Sequence, residues 1–222
     1  MSVTKSKGER TRQRIVERAA DVMSVRGYSA TSMADLARET GLEKGSLYNH
    51  FDSKEALALA AFEYSVALVG RRFDEALAGQ ERAIDRLRAI VGVFRSLADA
   101  PPLPGGDPVL NMAIESDDAY PALLERAQVA MTSWQKLIGK AAKEGVVSGE
   151  LRPEVNPREL ASIITSTLEG DVMMSNLFRD PIHMRWAVDH LMAYLDSLVV
   201  AGRACTTFPN PRVITTHVLS LP

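Results

Sequence analysis

Thr31-Ser-Met-Ala-Asp-Leu-Ala-Arg-Glu-Thr-Gly-Leu-Glu-Lys-Gly-Ser-Leu-Tyr-Asn-His-Phe-Asp-Ser-Lys-Glu55 decides the fold of this chain. Ser32 is placed to cap a helix, and Asp35, three positions on, completes a variant of the capping box. Met33, Leu36 and Ala37 follow at helical spacing and form one apolar stripe, which Gly41 breaks. The spacing predicts a helix over about 33–40, a second over about 43–49, and a cap for the next helix at Asp52 or Ser53. In the second helix Leu47 and Phe51 share a face with Leu42. Lys44, Gly45, Ser46, Tyr48 and Asn49 lie on the complementary face. Two short helices with an apolar back and a polar front can seat one helix in the major groove of DNA. The same pattern also fits a plain packed helix pair, with Tyr48 a half-buried surface aromatic.

Outward from this stretch the chain continues as helix. A first helix is expected over about 9–26, with Ile15, Ala19, Val22 and Met23 on one face and Gly27 past its end. Residues 1–8 are polar and expected to be mobile. Downstream, helices are expected from the cap at 52 or 53 to about 77, then over about 81–98, 109–115, 121–144 and 157–178, and after Asp180-Pro181 to about 202. Pro157 suits the first position of its helix. The run Pro101-Pro-Leu-Pro-Gly-Gly-Asp-Pro108 cannot be regular structure. The expected class is therefore all-α with about nine helices. A helix-turn-helix domain is expected over 1–52, a larger ligand-binding and dimerisation domain over 53–202, and a tail over 203–222. That tail has some strand character and is expected either to be disordered or to pack on the body.

Hydrophobic residues make up 46% of the 222 and charged residues 24%, which are values of a globular protein with a sizeable core. No apolar run is long enough to cross a bilayer, and no secretory signal opens the chain. Cys205 stands alone, so no internal disulfide is expected, and a reducing, cytoplasmic setting fits. The net charge of −2 hides an asymmetry: residues 1–54 hold ten Lys/Arg against seven Asp/Glu, and the remainder is acidic. A mildly basic head on an acidic body suits an anionic partner at the head.

On the front face of the second short helix, an exposed Tyr beside Ser and Asn offers hydrogen bonds and apolar contact with little charge. That mixture suits base edges. Gly45 lets backbone approach DNA closely. Phosphate contacts are expected from His50, from Lys54, and from Thr31 and Ser32 at the amino end of the preceding helix. Lys5, Lys7, Arg10, Arg12 and Arg14 are placed to add backbone or minor-groove contacts.

Residues 11–64 resemble the amino-terminal domain of the TetR family of transcriptional repressors. The resemblance is carried by Gly27-Tyr28, Thr31-Ser32, Asp35-Leu36-Ala37, Gly41, Lys44-Gly45-Ser46-Leu47-Tyr48, His50-Phe51 and Ser53-Lys54-Glu55-Ala56-Leu57. It implies that Thr31, Ser32, Lys44, Gly45, Ser46, Tyr48, His50 and Lys54 stand at DNA-contacting positions. It also implies a helical body that dimerises and holds a small-molecule pocket, and so a repressor released from operator DNA by an effector.

The last two long helices carry wide apolar faces, Leu160, Ile163, Ile164, Leu168 and Val172, then Trp186, Leu191, Tyr194, Leu195 and Leu198. Ser162, Ser166 and Gly170 would let a partner helix approach. A homodimer through these two helices is expected, although the same faces would also close a monomer core. Candidate pocket residues are Phe62, Phe94, Leu97, Leu110, Met112, Met131, Trp134, Leu137, Ile138, Met173 and Phe178, with Asn111, Gln135 and Glu169 as polar groups that would orient a largely apolar or aromatic ligand. Each Met or Phe taken singly also fits plain core filling. Glu169 interrupts an apolar stretch and either faces solvent or makes a specific contact. The segments 105–118, 149–152 and 168–170 are similar to a drug- or flavonoid-responsive branch of the family, which often carries a cysteine where this chain has Asp107.

Other signals are weak. His183 and His190 are seven apart, and no further ligand joins them at a metal-site spacing. Asp107, Glu115, Asp117 and Asp118 surround a loop, where capping and solvation explain them as well as a cation would. Gly145-Val-Val-Ser-Gly149 has the wrong spacing for a nucleophile, and no phosphate-binding glycine loop or zinc-protease pattern is present. No cofactor, metal or enzymatic activity is expected. Besides the ligand-released repressor, two other readings are a DNA-binding dimer without a ligand and a small helical enzyme using the acidic cluster.

Overall fold

Ser6 opens the first helix. Its hydroxyl accepts from the N–H of Glu9 at 3.2 Å, and the Glu9 carboxylate accepts from the N–H of Ser6 at 2.6 Å. This reciprocal box starts α1 (Lys7–Arg26) two residues ahead of the expected Glu9 and draws Lys7 and Gly8 into the helix. The computed structural model describes residues 6–116 and 119–200. Eight further helices follow: α2 (Met33–Thr40), α3 (Lys44–Tyr48), α4 (Lys54–Leu77), α5 (Ala83–Asp99), α6 (Pro108–Ser116), α7 (Pro121–Val147), α8 (Pro157–Phe178) and α9 (Ile182–Ser197). The fold is all-α, and the described β pairing is a single bridge.

That bridge corrects the end of the last helix. The sequence carries α9 to about Gly202, but helix stops at Ser197 because the following backbone pairs elsewhere. Leu151 and Val199 form an antiparallel bridge. The Leu198 carbonyl accepts from Arg152 N at 2.9 Å, and Val200 N donates to the Glu150 carbonyl at 3.0 Å. The tail read from 203 onward and Cys205 lie outside the described residues.

Two cores form. The head core joins Ile15, Val16 and Ala19 of α1, Met33 and Leu36 of α2, Leu47 of α3 and the following Phe51 to Leu57 and Ala61 of α4. The first turns of α4 thus pack with the head, beyond the expected limit at residue 52. Leu103, from the Pro-rich loop before α6, also enters this core. The body core is built from α4, α5, α7, α8 and α9. At its centre Phe73, Phe94 and Trp134 meet as a trio, tilted or edge-on, with ring centroids 5.8–6.1 Å apart. Truncating Phe94 or Trp134 to Ala should destabilise by about 3–5 kcal/mol. On the surface, α5 is tied to α9 by Arg88–Asp196 at 2.6 Å, Arg185–Asp99 at 3.5 Å and the pair Arg95–Asp189.

Candidate DNA-reading face and effector cavities

The front of the head is built around Leu47. Its side chain is wholly buried, which fixes the rotation of the five-residue α3. With Leu47 inward, Lys44, Gly45, Tyr48 and Asn49 face solvent, and Ser46 and His50 are half-buried beside them. Tyr48 keeps 45% of its surface exposed, so its ring and hydroxyl are open to a partner. Behind α3, the αL turn at Gly41 joins α2 to it.

Ser32 caps α2 as the sequence suggests. Its hydroxyl accepts from Asp35 N at 3.1 Å and donates to the Asp35 carboxylate at 2.6 Å. These hydrogen bonds from the Ser32 hydroxyl and N–H, together with Arg38, hold the Asp35 carboxyl down at about 2. Thr31 is turned inward: its hydroxyl donates to the Gly27 carbonyl at 2.7 Å and its N–H to the Tyr28 carbonyl at 3.2 Å, so both of its donors already have partners. The Lys54 ammonium lies 4.1 Å from the centroid of the Tyr28 ring, and Arg12 lies over Phe51 at 4.5 Å. Both cations are thereby held at the head surface by aromatic faces.

The body meets this head along α4, which enters both cores, and again through α6. Near its end, Glu115 reaches into the turn between α1 and α2, where its carboxylate accepts from Tyr28 N at 2.7 Å and from Ser29 N at 2.6 Å. Gly27 permits the approach: it has φ +79°, and a Cβ there would lie 2.7 Å from the Glu115 carboxylate. Tyr28 also meets Tyr120 edge-on at 4.8 Å. At the other end of α6, the backbone of Gly105 lies so close to Ser24 that a Cβ would fall 1.6 Å from the Ser24 carbonyl oxygen. None of these contacts follows from local pattern, since the partners lie some 80–90 residues apart.

Two cavities flank α6. The larger, about 740 Å³, separates head from body and is lined by Phe62, Asn111 and Met112 among the expected ligand residues. The smaller, about 230 Å³, lies between α4, α5, the Pro-rich loop and α8, and Leu97 lines it. The other expected contacts are placed elsewhere. Phe94, Trp134 and Ile138 are closed into the body core. Met131 and Gln135 are half-buried on α7 and line neither cavity. Met173 is exposed. The Asn111 amide donates to the Gly105 carbonyl at 2.8 Å and braces the loop.

Asp107, expected only as part of an acidic cluster around a loop, lines the smaller cavity. Its Oδ1 accepts from Val109 N at 2.7 Å and Leu110 N at 2.9 Å, capping α6. Its Oδ2 is buried without a hydrogen-bond partner among the described residues, as are both carboxylate oxygens of Glu169. Burial pushes the Glu169 carboxyl up to about 9, with the charge of Asp107 adding to it. Burial raises Asp107 to about 6 against the pull of its two backbone hydrogen bonds. Glu169 therefore does not face solvent. Asp117 and Asp118 lie outside the described residues, and among the described ones no three metal-ligating side chains converge. No described helix is long and apolar enough to cross a membrane.

Comparison with known proteins agrees with this architecture. The family model described as "Bacterial regulatory proteins, tetR family" matches residues 15–61, and "Tetracyclin repressor-like, C-terminal domain" matches residues 83–191. A TetR transcriptional regulator from Chloroflexus aurantiacus is 44% identical, over 87% of this chain and 98% of that one, with a TM-score of 0.84. The HTH-type transcriptional repressor DhaR of Mycobacterium sp. (strain GP1) is 25% identical, over 76% of this chain and 84% of its own length. The fold is also shared, at 21% identity and a TM-score of 0.72, by the TetR family regulator CifR, solved as a cysteine mutant with 26 bp of operator DNA. CifR aligns over 87% of this chain and 98% of its own. A short exposed helix on a capped helix-turn-helix head, joined through α4 and α6 to a helical body, and a matching regulator at this identity lead to one conclusion: the chain belongs to the TetR family of transcriptional regulators, with an amino-terminal DNA-binding domain.

Proposed function

We propose that the protein is a one-component repressor. It binds a near-palindromic operator as a homodimer through two copies of α3 and is released when a small, largely apolar molecule enters the body. The observation that carries this reading is the double attachment of α6. Pro108, at its start, borders both cavities, while Glu115, near its end, holds the backbone just ahead of α2. A molecule that shifts α6 alters the angle of the reading head. It acts only through its different affinity for the two arrangements.

Dimerisation through α8 and α9 is supported by what these helices leave uncovered. Leu160, Ile164, Leu168, Leu191 and Leu195 close the monomer core. Ser162, Ile163, Ser166, Met173 and Leu177 remain exposed along α8, and Trp186 on α9. Such a stripe fits a two-fold four-helix interface. Lys44, Gly45, Ser46, Tyr48, Asn49, His50 and Ser32 form the DNA contact set, with Lys54 at its edge. The relatives point the same way: DhaR is named a repressor, and CifR was solved on operator DNA.

The test is fluorescence anisotropy of the full chain against DNA upstream of its own gene, with and without a panel of apolar compounds. Specific binding weakened by a compound that also raises the melting temperature is the expected result. Specific binding that no compound weakens would favour a dimer without an effector. Absence of specific binding would overturn the reading.

A further inference from the structure

The smaller cavity holds an unusual set of walls. Most are apolar, among them Val69, Leu97, Pro104, Pro108 and Val172. Asp107 lines it directly, and Glu169 lies one helical turn before Val172 on α8. Both acids are only 7% exposed. Between them they hold three buried oxygens without partners among the described residues, Oδ2 of Asp107 at the wall and Oε1 and Oε2 of Glu169 just behind it. Unsatisfied buried acceptors each carry a desolvation penalty, and an apolar occupant alone would leave that penalty in place. Arg179 and Asp180, both exposed, line the cavity with opposite charges and add no net charge to it.

We propose that this cavity takes the ammonium head of an apolar primary amine, held by Asp107 and Glu169 while its hydrocarbon part lies against the proline and valine walls. Three N–H donors match three unpaired acceptors. One positive charge also lets both buried acids ionise together, a role no neutral aromatic ligand can fill. When the amine enters, the proton that Glu169 holds in the empty site leaves for solvent. About 150 Å³ of apolar space is enough for a benzene ring, so 230 Å³ suits a single ring or a medium alkyl chain. Because Asp107 also caps α6, capture of a cation there acts on the helix that holds the reading head. The proposal rests on the reading of the body as an effector-sensing domain, and it names the effector's chemistry.

Calorimetric titration of the full chain with octylammonium, 1-octanol and octanoate tests it, since the three share a chain and differ in charge. Octylammonium should bind once per chain and at least about tenfold more tightly than 1-octanol, with octanoate weakest. E169Q and D107N should bring the two affinities to within about threefold of each other. Asn caps helices as well as Asp does, so D107N keeps α6 in place. Equal or tighter binding of 1-octanol, unchanged preference in E169Q, or no binding of any of the three would overturn the proposal. Anisotropy on operator DNA in the same samples separates the two readings. A chain released from DNA by some other compound but indifferent to octylammonium overturns the amine site alone. A chain that binds octylammonium at this site yet never leaves DNA supports the amine site and overturns ligand release.

Discussion

The Glu115 carboxylate accepts the backbone N–H of Tyr28 at 2.7 Å, joining the last turn of α6 to the entry of α2. It accepts the Ser29 N–H as well, at 2.6 Å, so one side chain satisfies two donors that precede the reading unit. Charged acceptors make the stronger class of hydrogen bond. Glu115→Ala leaves the partly buried Tyr28 N–H unpaired, and we expect a loss of about 1–3 kcal/mol in denaturant unfolding. We further expect the variant to bind operator DNA with a response to effector weaker than that of the parent. An unfolding midpoint and an effector response both equal to the parent's would remove Glu115 from the coupling.

Gly105 sets how closely the body loop approaches α1. A Cβ at this position would lie 1.6 Å from the Ser24 carbonyl oxygen, and backbone cannot yield as a flexible side chain does. Gly105→Ala should therefore destabilise by about 3 kcal/mol or separate the loop from the head. Gly92, inside α5, is the control, because nothing lies within 4 Å of a Cβ there. Gly92→Ala should stabilise by about 0.5–1 kcal/mol through helix propensity. Thermal melts of the pair should move in opposite directions.

Glu169 makes stability depend on pH with an identifiable sign. Its carboxyl stands at about 9 in the folded chain against an ordinary value of 4.5. Between those values the folded state keeps a proton that the unfolded state has lost. Its contribution is therefore fully present below pH 4.5 and is lost as pH rises towards 9. Asp107 acts in the same sense between 3.8 and about 6. One such group contributes a slope of up to about 1.4 kcal/mol per pH unit. Glu169→Gln removes it and brings N–H donors to a site with an unpaired Asp107 oxygen. Urea unfolding at pH 8 should find the variant more stable than the parent by about 2 kcal/mol. A variant less stable at pH 8, or a parent whose stability relative to the variant rises from pH 6 to pH 8, would contradict this account.

The sequence made these parts legible to different degrees, and the range of each interaction explains why. Ser32 and Asp35 are local, and so is the fence around α8, with Pro157 at its first turn and Asp180-Pro181 past its end. Pattern reading found both. The stop at Ser197 depends on Val199 meeting Leu151, nearly fifty residues away, and helical periodicity carries no trace of it. Glu115 looks solvated in an acidic stretch until the fold brings Tyr28 to it. Among candidate pocket residues, periodicity marks Phe62 and Trp134 alike as inward, yet one lines a cavity and the other fills the core. For the acidic cluster that includes Asp107 the sequence offers capping, solvation or a cation; its Oδ1 caps α6, and only burial reveals the unpaired Oδ2.

Tyr48 and Leu47 are neighbours in α3 with opposite roles, and a paired mutation separates reading DNA from folding the head. Leu47 is wholly buried in the head core, so Leu47→Ala should destabilise by about 2–5 kcal/mol and lose operator binding through loss of structure. Tyr48 and Lys44 are exposed and hold no core contact. The double variant Tyr48→Ala, Lys44→Ala should keep the parent's melting temperature while its operator affinity falls by about a hundredfold, each side chain contributing about 1–3 kcal/mol of discrimination or grip. Lys44 should also account for about one unit of the salt slope if it meets phosphate, and for none if it reads a base edge. Anisotropy over a range of salt concentrations measures both quantities. Sequence-specific binding retained by the double variant would remove this face of α3 from DNA recognition, whatever the behaviour of Leu47→Ala.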